Sequence, residues 1–471
     1  MRKSNAATET EAAPEPGGSG AFLVGAGPPG RLLSLLPPRI SLILMAKKTK
    51  PPVAEVPAVS EQPYYLQRAH IKDFRSIRDA KVEFKPGLNI IIGANGSGKT
   101  NFLKCVKSGL SLTSDNFIGG SGSVITVNGN SLVEIHYERN YDPFDETVTD
   151  DMFDAMPPQD VVVKYAGNLL SGESLLDVLS QSIKKENSDA LNDLLLSRVV
   201  FIHHGVPNPY TFAEESVEFV VSGVGRVNAR NKGTLPLGLN EMKRTASYIF
   251  SQYFVSNKQR MRIDEMASVL KEGVDIWLAY LKYYLSKFSA INDIKSANPV
   301  QAYDNRSENE IIVKGFAADY KIGNSWLPFS ALSDGTRRMF YILSEASAPS
   351  MSYFRKELIN EVYRLDYNKI ILLEEPELGI HPDQLHKLLL FLREQSEKHQ
   401  LIITTHSPQV LDMLNDDELD RITICELDEK KGTQFRKLKK AQIETAKKFM
   451  HTEPGMFLSD YWRYGNLEGT N

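Results

Sequence analysis

Cysteine is nearly absent: Cys105 and Cys425 are the only two in 471 residues, far apart and in no CxxC pair. That excludes a disulfide framework and a cysteine-based zinc site, and the expected compartment is a reducing cytoplasm. Long apolar runs are also missing. No stretch of 18 or more apolar residues occurs, so no membrane span and no membrane partner are expected. The segment "RLLSLLPPRISLIL" at 31–44 is interrupted by Pro37 and Pro38, and its context fits no secretory signal. An excess of positive charge is missing too. With 55 Lys and Arg against 59 Asp and Glu the net charge is −4, which argues against a surface that binds polyanions everywhere and leaves a local basic groove open. What remains is an ordinary globular composition, 42% hydrophobic and 24% charged, with length for roughly two to four domains.

Residues 1–64 are rich in Ala, Pro, Gly and Glu without periodicity, which predicts a disordered tail. Met45, followed by "AKKTK", is a candidate alternative start, so 1–44 need not belong to the functional chain. The tail holds a GxGxxG string through Gly25, Gly27 and Gly30. A dinucleotide-binding loop needs a helix directly after it and an acid about 20 residues on. Here Pro28 and Pro29 intervene and no acid comes before Glu55, so the string is discounted.

From Tyr65 the pattern changes. "YLQRAHIKDF", "AKVEFKPG" and "LNIIIG" read as strands, with turns at Arg75–Asp79 and Pro86–Gly87. A helix follows Gly98, and β-like sequence runs over 123–140 with a hairpin signal at Asn128–Gly129. Residues 171–308 have helical spacing and are expected to form a mainly helical insertion. Within them Trp277, Tyr280, Tyr283, Tyr284 and Phe288 make an aromatic stripe, with core packing the default and partner docking the alternative. Strand-like sequence returns at 309–322. A helix after Ser333, a buried strand at 369–374, a helix over 382–399, a buried strand at 401–406 and a hairpin at 421–438 follow. Strands alternating with helices imply an α/β core with parallel strands.

"GANGSGKT", Gly93 to Thr100, fits G-x-x-x-x-G-K-[ST] between an apolar strand and a helix. In such a loop the backbone N–H groups of Gly93, Asn95, Gly96, Ser97 and Gly98 converge on phosphate, and the helix N-terminus adds positive potential. Lys99 reaches the β- and γ-phosphates, and the Thr100 hydroxyl ligates Mg²⁺. The implied ligands are therefore ATP and Mg²⁺. The strand "ILLEEPE" ends in adjacent acids. Side chains alternate along a strand, so Glu374 and Glu375 should diverge, with Glu374 facing the metal and Glu375 the attacking water. Glu377 receives no role. "ALSDGTRRMFYIL" places Ser333 and Gly335 at a helix start, a second anion site or a plain Ser cap. "LIITTHSP" ends a buried strand on His406, where an imidazole can meet a γ-phosphate or be structural.

P-loop, long insertion, "LSDGTRR", "LLEEPELGIHP" and "TTHSP" in this order resemble the motif order of ABC-type ATPases, in the soluble branch of RecF, SMC and OLD-like proteins. The opening "YYLQRAHIKDFRSIRDAKVEFKPGLNIIIGANGSGKTNFL" and the ending "FLSDYWRYGNLEG" resemble the same branch. The resemblance covers about 65–135 and 310–465. It implies a P-loop NTPase fold with an ABC-ATPase head, a mixed β lobe plus a parallel-sheet core. The head would be split into 65–170 and 309–471 around the helical insertion. It implies a head-to-head dimer holding two ATP molecules, in which Ser333 and Gly335 contact the γ-phosphate in the other subunit. His406 would be the switch histidine, Arg75 of "FRSI" would approach the phosphates, and Asn101 would follow the Walker threonine. Asp334 and Thr336 depart from the transporter signature, and Glu-Glu replaces Asp-Glu. His381 of "GIHP" is hard to assign, and Gln159 is weighed and set aside as the glutamine-loop residue.

Two functions follow from the resemblance. One is an ATP-gated scaffold or sensor controlling a separate effector, such as a nuclease, in bacterial anti-phage defence. The other is a RecF-like DNA-binding ATPase of DNA repair or maintenance. The residues after His406 read as a hairpin and tail, without a nuclease pattern. "KKGTQFRKLKKAQIETAKK" at 430–448 carries eight Lys or Arg in nineteen residues, a phosphate-tracking surface or a solvated face.

Overall fold

The computed structural model describes residues 64–111, 120–128, 131–139, 161–165, 168–171, 199–203, 217–222, 227–229, 278–279, 281–297, 299, 301–305, 310–316, 318–347, 368–452 and 456–464. The expected disordered tail lies outside them except for Tyr64, as does much of the expected helical insertion.

The chain opens antiparallel. β1 (Tyr64–Phe74) and β2 (Ile77–Glu83) pair directly, closed by Phe74 opposite Ile77. The turn is therefore only Arg75 and Ser76, shorter than the five residues read from sequence, because Ile77 buries completely. β3 (Leu88–Ile92) runs into the P-loop and α1 (Lys99–Ser111). β4 (Gly120–Asn128) and β5 (Ser131–Arg139) form the hairpin signalled at Asn128, with β6 (Val161–Tyr165) and β7 (Asn168–Ser171) beyond.

Next come β8 (Val199–Ile202), β9 (Val217–Ser222), β10 (Val227–Ala229), β11 (Asp293–Ser296), β12 (Gln301–Asn305), β13 (Glu310–Phe316), β14 (Ala318–Ile322) and β15 (Ser325–Pro328). Residues 281–288 are helical. The described part of 171–308 thus holds strands as well as helix. β9, β10, β12 and β13 form one small sheet, and β11, β14 and β15 another. α2 (Asp334–Ser347), β16 (Ile370–Glu374), α3 (Pro382–Ser396), β17 (Gln400–Thr405), β18 (Ile422–Asp428), β19 (Gly432–Lys437), α4 (Lys440–Thr452) and α5 (Leu458–Tyr464) complete the order.

The main sheet has twelve strands in the order β7-β6-β5-β4-β1-β2-β19-β18-β3-β17-β16-β8. β18, β3, β17, β16 and β8 are mutually parallel, and the remaining pairs are antiparallel. The runs "LNIII", "IILLE" and "QLIITT" are buried at every position, as parallel strands covered on both faces require. Alternate residues serve two cores. Ile91, Leu372 and Ile402 pack with Phe102, Leu103 and Val106 of α1 on one face. Ile90, Leu373 and Ile403 pack with Phe340 of α2 and Phe391 of α3 on the other. This is an α/β fold with a mixed β lobe joined to a parallel core. Among the described residues no helix is long and apolar enough to cross a membrane.

Of the aromatic stripe, Tyr284 and Phe288 stack with centroids 6.5 Å apart and both meet Phe391 edge-on, so they belong to the core. Tyr283 is more exposed, and Trp277 and Tyr280 lie outside the described residues. Both cysteines are buried and free. Burial raises both thiols, that of Cys425 to about 11, which leaves neither reactive at neutral pH.

Candidate functional site

The C-terminal ends of β3, β17, β16 and β8 lie side by side, and the side chains that leave them form the site. β3 ends at Ile92 and the chain turns through Gly93–Gly98 into α1. The loop is tied to the neighbouring strand by Gly93 N–H donating to the Thr405 carbonyl at 3.2 Å. Gly98 has φ +104°, and a Cβ there would collide with the Thr433 side chain, so only glycine fits. Asn95 and Gly96 are exposed at the loop crest. Ser97 is buried, and its Oγ has no hydrogen-bond partner among the described residues. Lys99 is buried and donates Nζ to the carbonyls of Gly93 and Ala94 at 2.8 and 2.9 Å, so its ammonium is held under the loop. These are the parts of a phosphate cradle: converging N–H groups, a helix N-terminus and a fixed cation.

Thr100, in the first turn of α1, donates its hydroxyl to Glu374 Oε1. Glu374 is 1% exposed. A buried carboxylate is sustained by paired charge or a metal. Here a hydroxyl and a carboxylate meet, oxygen donors of the kind a hard divalent cation takes. The neighbouring carboxylate goes elsewhere. Glu375 leaves the strand with φ +42°, its N–H donating to the Thr404 carbonyl at 2.8 Å. Non-glycine residues at positive φ cost about 1–3 kcal/mol and persist where the surroundings over-determine them. Glu375 Oε1 lies 3.4 Å from His406 Nδ1. The adjacent acids are thus separated, Glu374 towards the P-loop and Glu375 towards the histidine.

Glu377, without a role from sequence, is a structural centre of this corner. Its Oε1 accepts from Thr405 Oγ1 at 2.6 Å and from the His406 and Ser407 N–H groups at 3.3 Å, and lies 3.4 Å from His406 Nδ1. It therefore shapes the turn that presents His406. The signal was a third acid directly after a proline, but only the sheet order brings it beside β17. His381 caps α3, accepting from Asp383 N–H at 3.4 Å.

Arg75 has φ +52° and donates Nη1 to Asn101 Oδ1 at 3.1 Å. Asn101 Nδ2 donates to Ser76 Oγ at 3.2 Å, so "FRSI" and the start of α1 are bonded together. Ser333 is exposed and caps α2, its Oγ 2.8 Å from Thr336 Oγ1 and accepting from the Thr336 N–H. Gly335 packs where a Cβ would meet the Gly379 carbonyl at 2.8 Å. No hydrogen bond or ion pair among the described residues joins Ser333 or Gly335 to the P-loop of the same chain. Gln159 lies outside the described residues.

Two residues were missed by sequence reasoning. Arg338 of α2 is 1% exposed. It donates Nη2 to the Glu374 carbonyl at 2.8 Å and the Glu375 carbonyl at 3.4 Å, and Nη1 to the His203 carbonyl. Burial lowers its guanidinium to about 10, so it stays cationic at neutral pH. The other is His203, directly after β8, whose Nε2 lies 3.3 Å from Glu374 Oε2. Arg338 closes the "LSDGTRR" motif without a role assigned to it there, and His203 belongs to no motif that the sequence singles out.

The family model of AAA_21, an AAA domain whose description names the AbiEii toxin of a Type IV TA system, matches residues 88–412. The chain is 43% identical over 83 residues to the DNA double-strand break repair Rad50 ATPase of Thermococcus kodakarensis, covering 15% of this chain and 9% of that protein. It is 20% identical over 366 residues to an ATP/GTP phosphatase of Helicobacter pylori, covering 74% and 87%. It is 50% identical over 42 residues to the DNA replication and repair protein RecF of Acidothermus cellulolyticus, covering 9% and 11%. The Rad50 and RecF matches therefore span only 9% and 11% of those proteins' lengths. Among solved structures, an Smc head bound to the C-winged helix domain of ScpA superposes with a TM-score of 0.44 at 12% identity, over 80% of this chain and 99% of that one.

Proposed function

The chain belongs to the AAA_21 family, as an ABC-type ATPase of the RecF and SMC branch, and on that premise we propose that it binds and hydrolyses ATP as a head-to-head dimer. The observation that carries the reading is the strand-end constellation, with Thr100 on Glu374 and Glu375 beside His406. Lys99 and the N–H groups of Asn95, Gly96 and Gly98 bind the β- and γ-phosphates, those of Gly93 and Ser97 being taken by the Thr405 and Ala94 carbonyls, and Arg75, fixed by Asn101, approaches the same phosphates. Thr100 and Glu374 hold Mg²⁺, which when bound neutralises phosphate charge and polarises the γ-phosphoryl group.

Glu375 takes a proton from a water as the water oxygen bonds to the γ-phosphorus. The bond from that phosphorus to the β–γ bridging oxygen breaks, and ADP leaves. Glu375 stands outside the strand, at positive φ, and so reaches a water that Glu374 does not. His406, positioned by Glu377, donates to the γ-phosphate. Ser333 and Gly335, exposed or partly exposed at the start of α2, serve the partner subunit's nucleotide. Their separation from their own P-loop supports a site completed in trans.

The output is control of a separate effector, a toxin-like protein or nuclease in anti-phage defence. The family description, which links the matched domain to a Type IV TA system, fits a defence context for this output. A RecF-like role on DNA is the second reading. Lys430, Lys431, Lys439 and Lys440, all exposed around the β18–β19 hairpin, favour it.

Glu375→Gln tests the enzyme reading. The variant should bind ATP, turn over at least about 100-fold more slowly, and elute as a dimer with ATP. Wild-type turnover, or a monomer with ATP bound, would overturn it. Gel shifts across a salt series separate the two outputs: a steep slope marks phosphate contacts and the DNA role.

A further inference from the structure

β8 and β16 are parallel and in register, with Ile202 opposite Leu373. One step further places His203 beside Glu374, and the side chains meet, Nε2 lying 3.3 Å from Oε2. Glu374 is buried, whereas the His203 side chain is 37% exposed, so the imidazole stands on the open side of the carboxylate. The other carboxylate oxygen accepts from Thr100. Arg338 fixes this arrangement by donating to the carbonyls of both His203 and Glu374. Phe201 lies on the same side, its ring centroid 6.0 Å from the imidazole.

At 3.3 Å apart, the His203 imidazole nitrogen and a Glu374 carboxylate oxygen lie together, and Thr100 meets the other oxygen of the same carboxylate. The donor set then contains one nitrogen. Mg²⁺ demands oxygen and sheds water reluctantly. Imidazole suits first-row transition metals. Among the described residues no group of three or more His, Cys, Asp or Glu gathers, here or elsewhere, so the site depends on the Thr100 hydroxyl for its third protein donor.

We propose that His203 is a ligand of the nucleotide-associated cation, joining Thr100 and Glu374, and that it shifts the preference of the site from Mg²⁺ towards Mn²⁺. This rests on the P-loop and Glu374 reading above and adds a residue and a metal specificity to it.

The test uses the full chain loaded with Mn²⁺ and ATPγS. Pulsed electron paramagnetic resonance should show nitrogen modulation of bound Mn²⁺ that changes when histidine is labelled with ¹⁵N and disappears in His203→Gln. In parallel, half-saturating Mn²⁺ for nucleotide binding should be at least about 10-fold below that of Mg²⁺, and His203→Gln, which offers an amide oxygen, should narrow the ratio to about 3-fold or less. Bound Mn²⁺–nucleotide without histidine modulation in the wild-type protein overturns the proposal and leaves the P-loop reading standing. That measurement needs no variant to fold. An unchanged Mn²⁺-to-Mg²⁺ ratio in folded His203→Gln overturns the specificity claim. Failure to bind nucleotide with either cation overturns the P-loop reading and this proposal together.

Discussion

Arg338→Met removes a buried side chain that ties α2 to the ends of β16 and β8. Methionine is close in volume and leaves no large cavity, so the effect isolates the hydrogen bonds. Three carbonyls, those of Glu374, Glu375 and His203, lose a cationic donor. Each buried acceptor left without this donor costs about 1–3 kcal/mol. Removing the desolvated cation works the other way: burial lowers it from the ordinary guanidinium range to about 10, a penalty of about 3 kcal/mol that the variant escapes. Three such losses, about 3–9 kcal/mol together, less that penalty leave a net destabilisation of about 0–6 kcal/mol, centred near 3, below what a simple count of lost bonds suggests. Urea unfolding of both proteins at pH 7.5 measures it. Function should suffer more than stability. Glu375 holds φ +42° against a strain of about 1–3 kcal/mol, and its carbonyl is one of the three released. Turnover should fall at least about 10-fold while ATP binding stays within about 3-fold, because the P-loop does not touch Arg338. Arg338→Lys, with a single ammonium, should recover stability better than turnover. Destabilisation under about 0.5 kcal/mol with wild-type turnover would refute the claim that Arg338 holds the strand end in place.

Lys99→Ala removes the buried ammonium beneath the P-loop and should abolish ATP binding by titration calorimetry; retained affinity would sink the cradle assignment. Ser333→Arg alters an exposed cap away from its own P-loop, so ATP should still bind to the monomer while hydrolysis and ATP-dependent dimerisation are lost; unchanged turnover would argue against a site completed in trans. His399 predicts the acid response. It is buried, accepts from the Lys369 N–H through Nδ1 at 3.2 Å, and is pushed down from 6.5 to about 3 by burial and then by Lys369 and Lys398. Between those values the unfolded chain binds a proton that the folded one does not, so stability falls with falling pH by about 1.4 kcal/mol per unit for this group. His399→Gln should flatten the stability profile between pH 6.5 and 5 relative to wild type, and parallel profiles would show that His399 is not the responsible group.

Much of this molecule was written in local sequence. The apolar run before Gly93, the glycines of the loop and the Lys-Thr opening of α1 are contiguous, so their chemistry reads directly from the chain. The runs ending at Glu374 and Thr405 are buried throughout, and that uniform apolar character marked them as parallel strands before any coordinates. What local pattern could not supply was which strand ends become neighbours. β8 lies in a region expected to be an insertion, yet it pairs with β16 at the edge of the core, and this alone places His203 beside Glu374. Glu377 acquires its role because β17 lies next to β16, and Arg338 because α2 packs across the ends of two strands. Residues whose function depends on their immediate neighbours along the chain were legible. Those whose partners lie 28 to 171 positions away waited for the tertiary structure, because hydrogen bonds and ion pairs depend on distance in space.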